Sequence, residues 1–126
     1  MGKKLLIVED ELHIRTLLEQ VLEDLEEDYD VEILSAADGE EGLKIVRDER
    51  PTAVFLDIMM PKMNGYEVCK AIKSDPDLKH IIIVLLTAKG QEADRKKGLD
   101  IGAYDYMTKP FDPDEVVELA KTLLDL

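Results

Sequence analysis

The sequence has one cysteine, Cys69. A single cysteine excludes an internal disulfide, and it fits a reducing, cytoplasmic setting. Basic residues are few, 16 Lys and Arg against 29 Asp and Glu, for a net charge of −13. That balance argues against direct nucleic-acid binding, which needs a basic footprint, and against an anionic membrane surface. No apolar run is long enough to span a bilayer. The opening MGKKLLIVED is not a signal peptide, because its apolar run is short and ends in acids. Leu6 stands where a myristoylation site needs Ser or Thr. There are no low-complexity stretches and no linker. The 126 residues suggest one domain, 1–126, with no room for an output domain in this chain, which is either a stand-alone module or part of a longer protein. A chain of this length buries roughly two-thirds of its unfolded surface, so it needs no staples.

What the chain does have is centred on Ala53 to Gly65, AVFLDIMMPKMNG. Four apolar residues run into Asp57, and the chain then breaks at Pro61, Asn64 and Gly65. An apolar run without alternation reads as a strand covered on both faces, as in parallel sheets. Asp57 therefore falls at the carboxyl end of a central strand, where open α/β sheets place their ligands. A carboxylate there must meet a cation, a donor or water.

The other elements follow in alternation. Lys4 to Val8 is a strand ending in Glu9-Asp10. Leu12 to Leu25 reads as a helix with Ile14, Leu17, Leu18, Val21, Leu22 and Leu25 on one stripe. The acid-rich run from Glu23 to Asp30 reads as a solvated helix end and loop. Val31 to Ala36 is a mixed strand. Asp38 and Glu41 have capping-box spacing before a helix that Pro51 stops. Asn64 with Glu67 opens the next helix, and its stripe is Gly65, Val68, Cys69 and Ile72. Ile81 to Leu86 is apolar throughout and hence a central strand, ended by Thr87-Ala88. Gly90 to Ile101 is the weakest helix, with Ala93, Leu99 and Ile101 as anchors and Gly98 inside it. Tyr104 to Thr108 is a mixed strand, followed by Lys109-Pro110, whose peptide bond is expected to be cis. Asp112, Pro113 and Glu115 start the last helix, which turns Val116, Val117, Ala120, Leu123 and Leu124 inward. Five strands and five helices in alternation predict a doubly wound parallel α/β sheet. The mixed second and fifth strands belong at its edges, which fits the order 2-1-3-4-5.

In that order the first and third strands are neighbours, and Glu9, Asp10 and Asp57 share one rim. Two unit charges about 4 Å apart repel by roughly 4 kcal/mol at an effective dielectric of 20. Such a cluster holds protons or a cation, and hard oxygen ligands suit Mg²⁺. Lys109 brings a positive charge to the same rim from the fifth strand, and Thr87 brings a hydroxyl from the fourth. A phosphoryl group arriving on a carboxylate there meets two cations and a donor. No one of these residues is specific, and the signal lies in the set.

With LLIVED at 5–10, FLDIMMPKMNG at 55–65, VLLTA at 84–88 and GAYDYMTKPF at 102–111, the chain resembles a response-regulator receiver domain of bacterial two-component signalling. The resemblance implies a flavodoxin-like receiver fold in the same strand order. It implies that Asp57 accepts a phosphoryl group from a phosphohistidine of a sensor histidine kinase or phosphotransfer protein. It implies that Glu9, Asp10, Asp57 and the backbone carbonyl of Met59 hold Mg²⁺. Lys109 and Thr87 would contact phosphoryl oxygens, and Tyr106 would be the aromatic switch. Output to an unknown downstream protein would pass through the face of the fourth helix, fifth strand and last helix. The module would be a signalling domain and not an enzyme, apart from its own phosphorylation and slow dephosphorylation. Two positions depart from the commoner family pattern, Glu9 for Asp and Met59 for a polar residue. The first keeps the charge, and the second removes a group that could hold an attacking water.

Three rival readings are weaker. An aspartyl phosphohydrolase of the haloacid-dehalogenase type carries an acid two residues after its nucleophile, where this chain has Met59. A flavin or nucleotide carrier needs a glycine-rich phosphate loop after the first strand, where this chain has acids. A receiver-like module that is never phosphorylated needs no complete set of Glu9, Asp10, Asp57, Thr87 and Lys109. Elsewhere, Met59, Met60 and Met63 read as loop packing, and His13 and His80 as surface residues. Cys69 reads as a core thiol, and Tyr104 is left undecided.

Overall fold

The computed structural model describes residues 2–88 and 93–126. Strands β1 (Lys3–Val8), β2 (Val31–Ala36), β3 (Ala53–Asp57), β4 (Ile82–Ala88) and β5 (Asp105–Lys109) form one parallel sheet in the order β2-β1-β3-β4-β5. Helices α1 (Leu12–Val21) and α2 (Glu23–Tyr29) share the first crossover. Helices α3 (Gly39–Glu49), α4 (Gly65–Lys73) and α5 (Ala93–Ile101) make the next three, and α6 (Pro113–Leu123) follows β5. The architecture is the doubly wound α/β sheet expected from the alternation.

The central strands are buried on both faces because helices cover both. On β3, Val54 and Leu56 enter one apolar layer with Val68, Cys69 and Ile72 of α4. Ala53 and Phe55 enter the other, with Leu18 of α1 and Val116, Ala120 and Leu123 of α6. Every residue of β3, Asp57 included, is buried. The edge strands β2 and β5 are only partly buried, as their mixed composition predicts.

The first crossover differs from its sequence reading. The acid-rich run, read as a helix end and loop, is helical through Tyr29 as the separate helix α2. Glu and Leu are good helix formers, and Leu22 and Leu25 are fully buried while the acids face solvent. A tighter bond, Leu25 N–H to the Leu22 carbonyl at 3.0 Å, joins the two segments. Leu17 is 45% exposed and so leaves the predicted stripe.

The caps fall where the spacing puts them. Asp38 accepts from the Glu41 amide at 2.9 Å, and Asn64 and Glu67 form a full capping box. Asp112 accepts from the Asp114 amide, with Pro113 in the first turn. Strand β4 runs two residues past Leu86, because Thr87 and Ala88 pair with Thr108 and Lys109. Helix α5 was expected from Gly90, which lies outside the described residues. Its predicted anchor Leu99 is 37% exposed. Gly98 is the residue seated on the sheet: a Cβ there would lie 2.0 Å from Leu85 Cδ1. The Lys109–Pro110 bond is cis, as expected. Cys69 is fully buried, His13 and His80 are exposed, and Tyr104 is 57% exposed. Met60 and Met63 pack on the core, while Met59 is 63% exposed.

Candidate functional site

Three strands deliver the site. β1 ends at Val8 and β3 at Asp57, side by side in register, and β5 ends at Lys109 on the same rim. The Glu9 amide still donates to the Ala36 carbonyl of β2 at 3.1 Å, which holds Glu9 in line with the sheet. The loop after Asp57 turns back at once. Gly65 donates its amide to the Ile58 carbonyl at 3.0 Å, and a Cβ on Gly65 would lie 2.4 Å from the Asp57 carbonyl oxygen. Only glycine permits that approach.

Carboxylate oxygens of Glu9, Asp10 and Asp57 lie within 4.8 Å of one another. Glu9 is fully buried, Asp57 is 3% exposed and Asp10 is open to solvent. The Lys109 ammonium lies 2.6 Å from Glu9 Oε1 and 3.2 Å from Asp57 Oδ1. Glu9 Oε2 accepts from the Glu11 amide at 3.1 Å, and Asp57 Oδ1 accepts from the Met59 amide at 3.4 Å. Burial, and then the neighbouring Glu9 charge, push the Asp57 carboxyl up to about 8. Burial pulls the Lys109 ammonium down, but the Glu9 and Asp57 carboxylates outweigh it and hold the group above its ordinary value.

A crowd of buried carboxylates that cannot all ionise is a place for a cation. Glu9 Oε1 receives no aligned hydrogen bond among the described residues, although the Lys109 ammonium lies 2.6 Å from it. Three oxygen donors, one of them open to water through Asp10, fit a hard divalent ion. The acidic group can hold a metal.

Thr87 is buried, and its hydroxyl donates to the Met107 carbonyl at 3.5 Å. Its strand position puts it at the rim, with its side chain tied to β5 rather than to Asp57. Tyr106 is half-buried against the apolar layer that contains Leu85 and Ile83. The sequence thus names the residues that gather here. It does not foretell that Lys109 sits closer to Glu9 than to Asp57, since Glu9 in place of Asp shows in the sequence but the packing that brings the two side-chain ends together does not.

The sheet and its acidic rim define an open parallel α/β protein with a cation-ready cluster at the β1/β3 switch point. The comparisons with known proteins are specific. Residues 5–121 match the response regulator receiver domain model. The chain is 47% identical over 98% of its length to the alkaline phosphatase synthesis transcriptional regulatory protein PhoP of Bacillus subtilis, covering 49% of that protein. It is 45% identical over 97% of its length to the probable transcriptional regulator ycf27 of Cyanophora paradoxa, covering 48% of it. It therefore spans about half the length of these curated relatives. A putative response regulator from Chloroflexus aurantiacus has a similar structure, with TM-score 0.89 and 35% identity over 100% of both chains. The chain belongs to the response regulator receiver domain family. It is a receiver domain of two-component signalling, of the kind that works as a phosphorylation-activated switch. No helix among the described residues is long and apolar enough to cross a membrane.

Proposed function

We propose that Asp57 is the phosphoacceptor, and that the donor is a phosphohistidine of a sensor histidine kinase or phosphotransfer protein in the cytoplasm. The observation that carries this is one buried carboxylate with a lysine at 3.2 Å and two more acids within 4.8 Å. In the transfer, an Asp57 oxygen forms the new P–O bond. The P–N bond of the phosphohistidine breaks, and the imidazole leaves with the electron pair. Lys109 holds one phosphoryl oxygen, and the hydroxyl of Thr87, the residue after the Leu86 that pairs with Asp57, turns to another. Glu9, Asp10, Asp57 and the Met59 carbonyl are the groups for a Mg²⁺. Bound there, it supplies charge neutralisation that keeps the carboxylates ionised and balances the incoming phosphoryl. The side chain of Met59 is exposed and cannot accept a strong hydrogen bond, so it does not orient an attacking water and self-dephosphorylation is slow. Lys89, the other residue expected to flank that water, lies outside the described residues.

The output face is α5, β5 and α6, with Tyr106 as the aromatic element, and its partner is a downstream protein. With a charge of −13, residues 1–126 make no nucleic-acid or membrane contact of their own. They act as one receiver domain. The test is incubation with a small acyl phosphate and Mg²⁺, followed by intact mass. The protein gains one phosphoryl group, and Asp57→Asn gains none. A gain in Asp57→Asn removes the assignment.

A further inference from the structure

The charge of this chain is unevenly divided. Residues 61–109 hold nine basic and seven acidic residues, whereas the rest holds seven basic and twenty-two acidic. Within the first of these stretches an open groove of about 710 Å³ lies between α4 and α5, away from the acidic rim. It is lined by Lys70, Lys96, Lys97, Asp100 and Ile101. All three lysines are exposed. Among the residues whose side chains are described, which leaves out 89–95, none of the three has a carboxylate within ion-pair distance, although acids outnumber bases almost two to one. Lys97 lies over the Tyr66 ring, 4.5 Å from its centroid, which sets the height of its ammonium at one wall. Half-buried Ile101 gives the groove an apolar floor.

We propose that this groove docks an acidic segment of a partner protein, carrying carboxylates for the three ammonium groups and an apolar side chain for Ile101. The choice of partner class rests on charge. A duplex presents an extended row of phosphates, and the strongly acidic remainder of the surface would repel it. Three lysines against the single carboxylate of Asp100, beside apolar Ile101, leave a net positive groove that matches a short acidic peptide. The site stands independently of Asp57 chemistry, because no group in it touches the rim.

The test is an NMR titration of the whole ¹⁵N-labelled chain with a short synthetic peptide of Glu, Asp and Leu. A Gln, Asn and Leu version and a short DNA duplex serve as comparators. The expected result is saturable shifts confined to residues 66–73 and 96–102, weakened by salt, with no response to the neutral peptide. Lys70→Glu with Lys96→Glu lowers affinity by about ten-fold or more, and the milder Lys70→Gln with Lys96→Gln lowers it less. Lys44→Glu, an exposed change on α3, leaves it unaltered. Three outcomes overturn the proposal: no saturable shift, shifts spread evenly over all exposed lysines, or tighter binding of the duplex.

Discussion

The Lys109 ammonium lies 2.6 Å from Glu9 Oε1, and Glu9 is fully buried. Lys109 is the one ammonium within ion-pair distance of Glu9 among the described residues. Removing one member of a buried pair leaves the other without compensation, which costs more than the pair itself contributes. Lys109→Ala is therefore expected to destabilise the metal-free protein by about 1–3 kcal/mol. Urea unfolding in a chelator measures this. Excess Mg²⁺ is expected to recover part of the loss, since the ion takes over the charge. Equal stability of variant and wild type in chelator would show that the pair is solvated.

Asp57 sets a pH dependence of definite sign. Its folded carboxyl is pushed up to about 8, by burial first and the Glu9 charge second, whereas the unfolded group has its ordinary value near 3.8. Between those values the folded chain binds a proton that the unfolded chain does not. Stability contributed by that proton is present at low pH and is lost as pH rises toward 8. Asp57→Asn removes the titrating group. It is expected to flatten this part of the profile and, near pH 8 in chelator, to exceed the wild type by about 1–4 kcal/mol. Denaturation midpoints at several pH values in chelator check it. Parallel profiles for the two proteins would refute it.

Much of this was legible in the sequence, and the reason is local. A run such as AVFLD followed by Pro, Asn and Gly fixes a buried strand and its end, and four strand ends, those of β1, β3, β4 and β5, place Glu9, Asp10, Asp57, Thr87 and Lys109 on one rim. Capping at Asp38, Asn64 and Asp112 depends on neighbours two or three residues away, so spacing suffices. What was not legible depends on packing between distant parts. The Glu23–Tyr29 helix holds because Leu22 and Leu25 find the core, which charge density conceals. Leu99 has the composition of an anchor, yet the helix approaches the sheet through Gly98. The Thr87 hydroxyl bonds to β5 because β4 is longer than its apolar run.

Gly98 supplies a test of how α5 is seated. In an exposed helix interior, Ala is better than Gly by about 1 kcal/mol. Here the added Cβ would lie 2.0 Å from Leu85 Cδ1, and overpacking costs about 1–3 kcal/mol. Leu85 is 1% exposed and enclosed in the core, so its methyl has little room to turn aside and the clash outweighs the propensity. Gly98→Ala is expected to lower stability, with amide shift changes concentrated in α5 and β4. Leu85→Val shortens the opposing side chain and is expected to offset part of the loss in the double variant. A double-mutant cycle measures that coupling, and strict additivity would mean that α5 moves aside freely.

Thr87 is the place where a phosphoryl group on Asp57 can be felt by the output face. Its hydroxyl is buried and donates to the Met107 carbonyl at 3.5 Å, a length at the weak end for such a bond. A phosphoryl group brings about −1.5 to −2 charges and three acceptor oxygens. A charge-assisted bond is worth roughly 1.5–3 kcal/mol against 0.5–1.5 for a neutral one, so the hydroxyl gains by turning to it. The difference tilts a two-state balance by about ten-fold. Turning away from Met107 changes the packing between β4 and β5, where Tyr106 is paired with Leu85 and half-buried in the layer that Gly98 seats α5 against. Ring and helix are therefore expected to move together. A phosphoryl mimic bound to the wild type should shift the Tyr106 ring resonances and the amides of residues 96–101. Thr87→Ala should still accept phosphate on Asp57 but lose most of those shifts, and Thr87→Ser should restore them. Full wild-type shifts in Thr87→Ala would mean that the signal leaves Asp57 by another route.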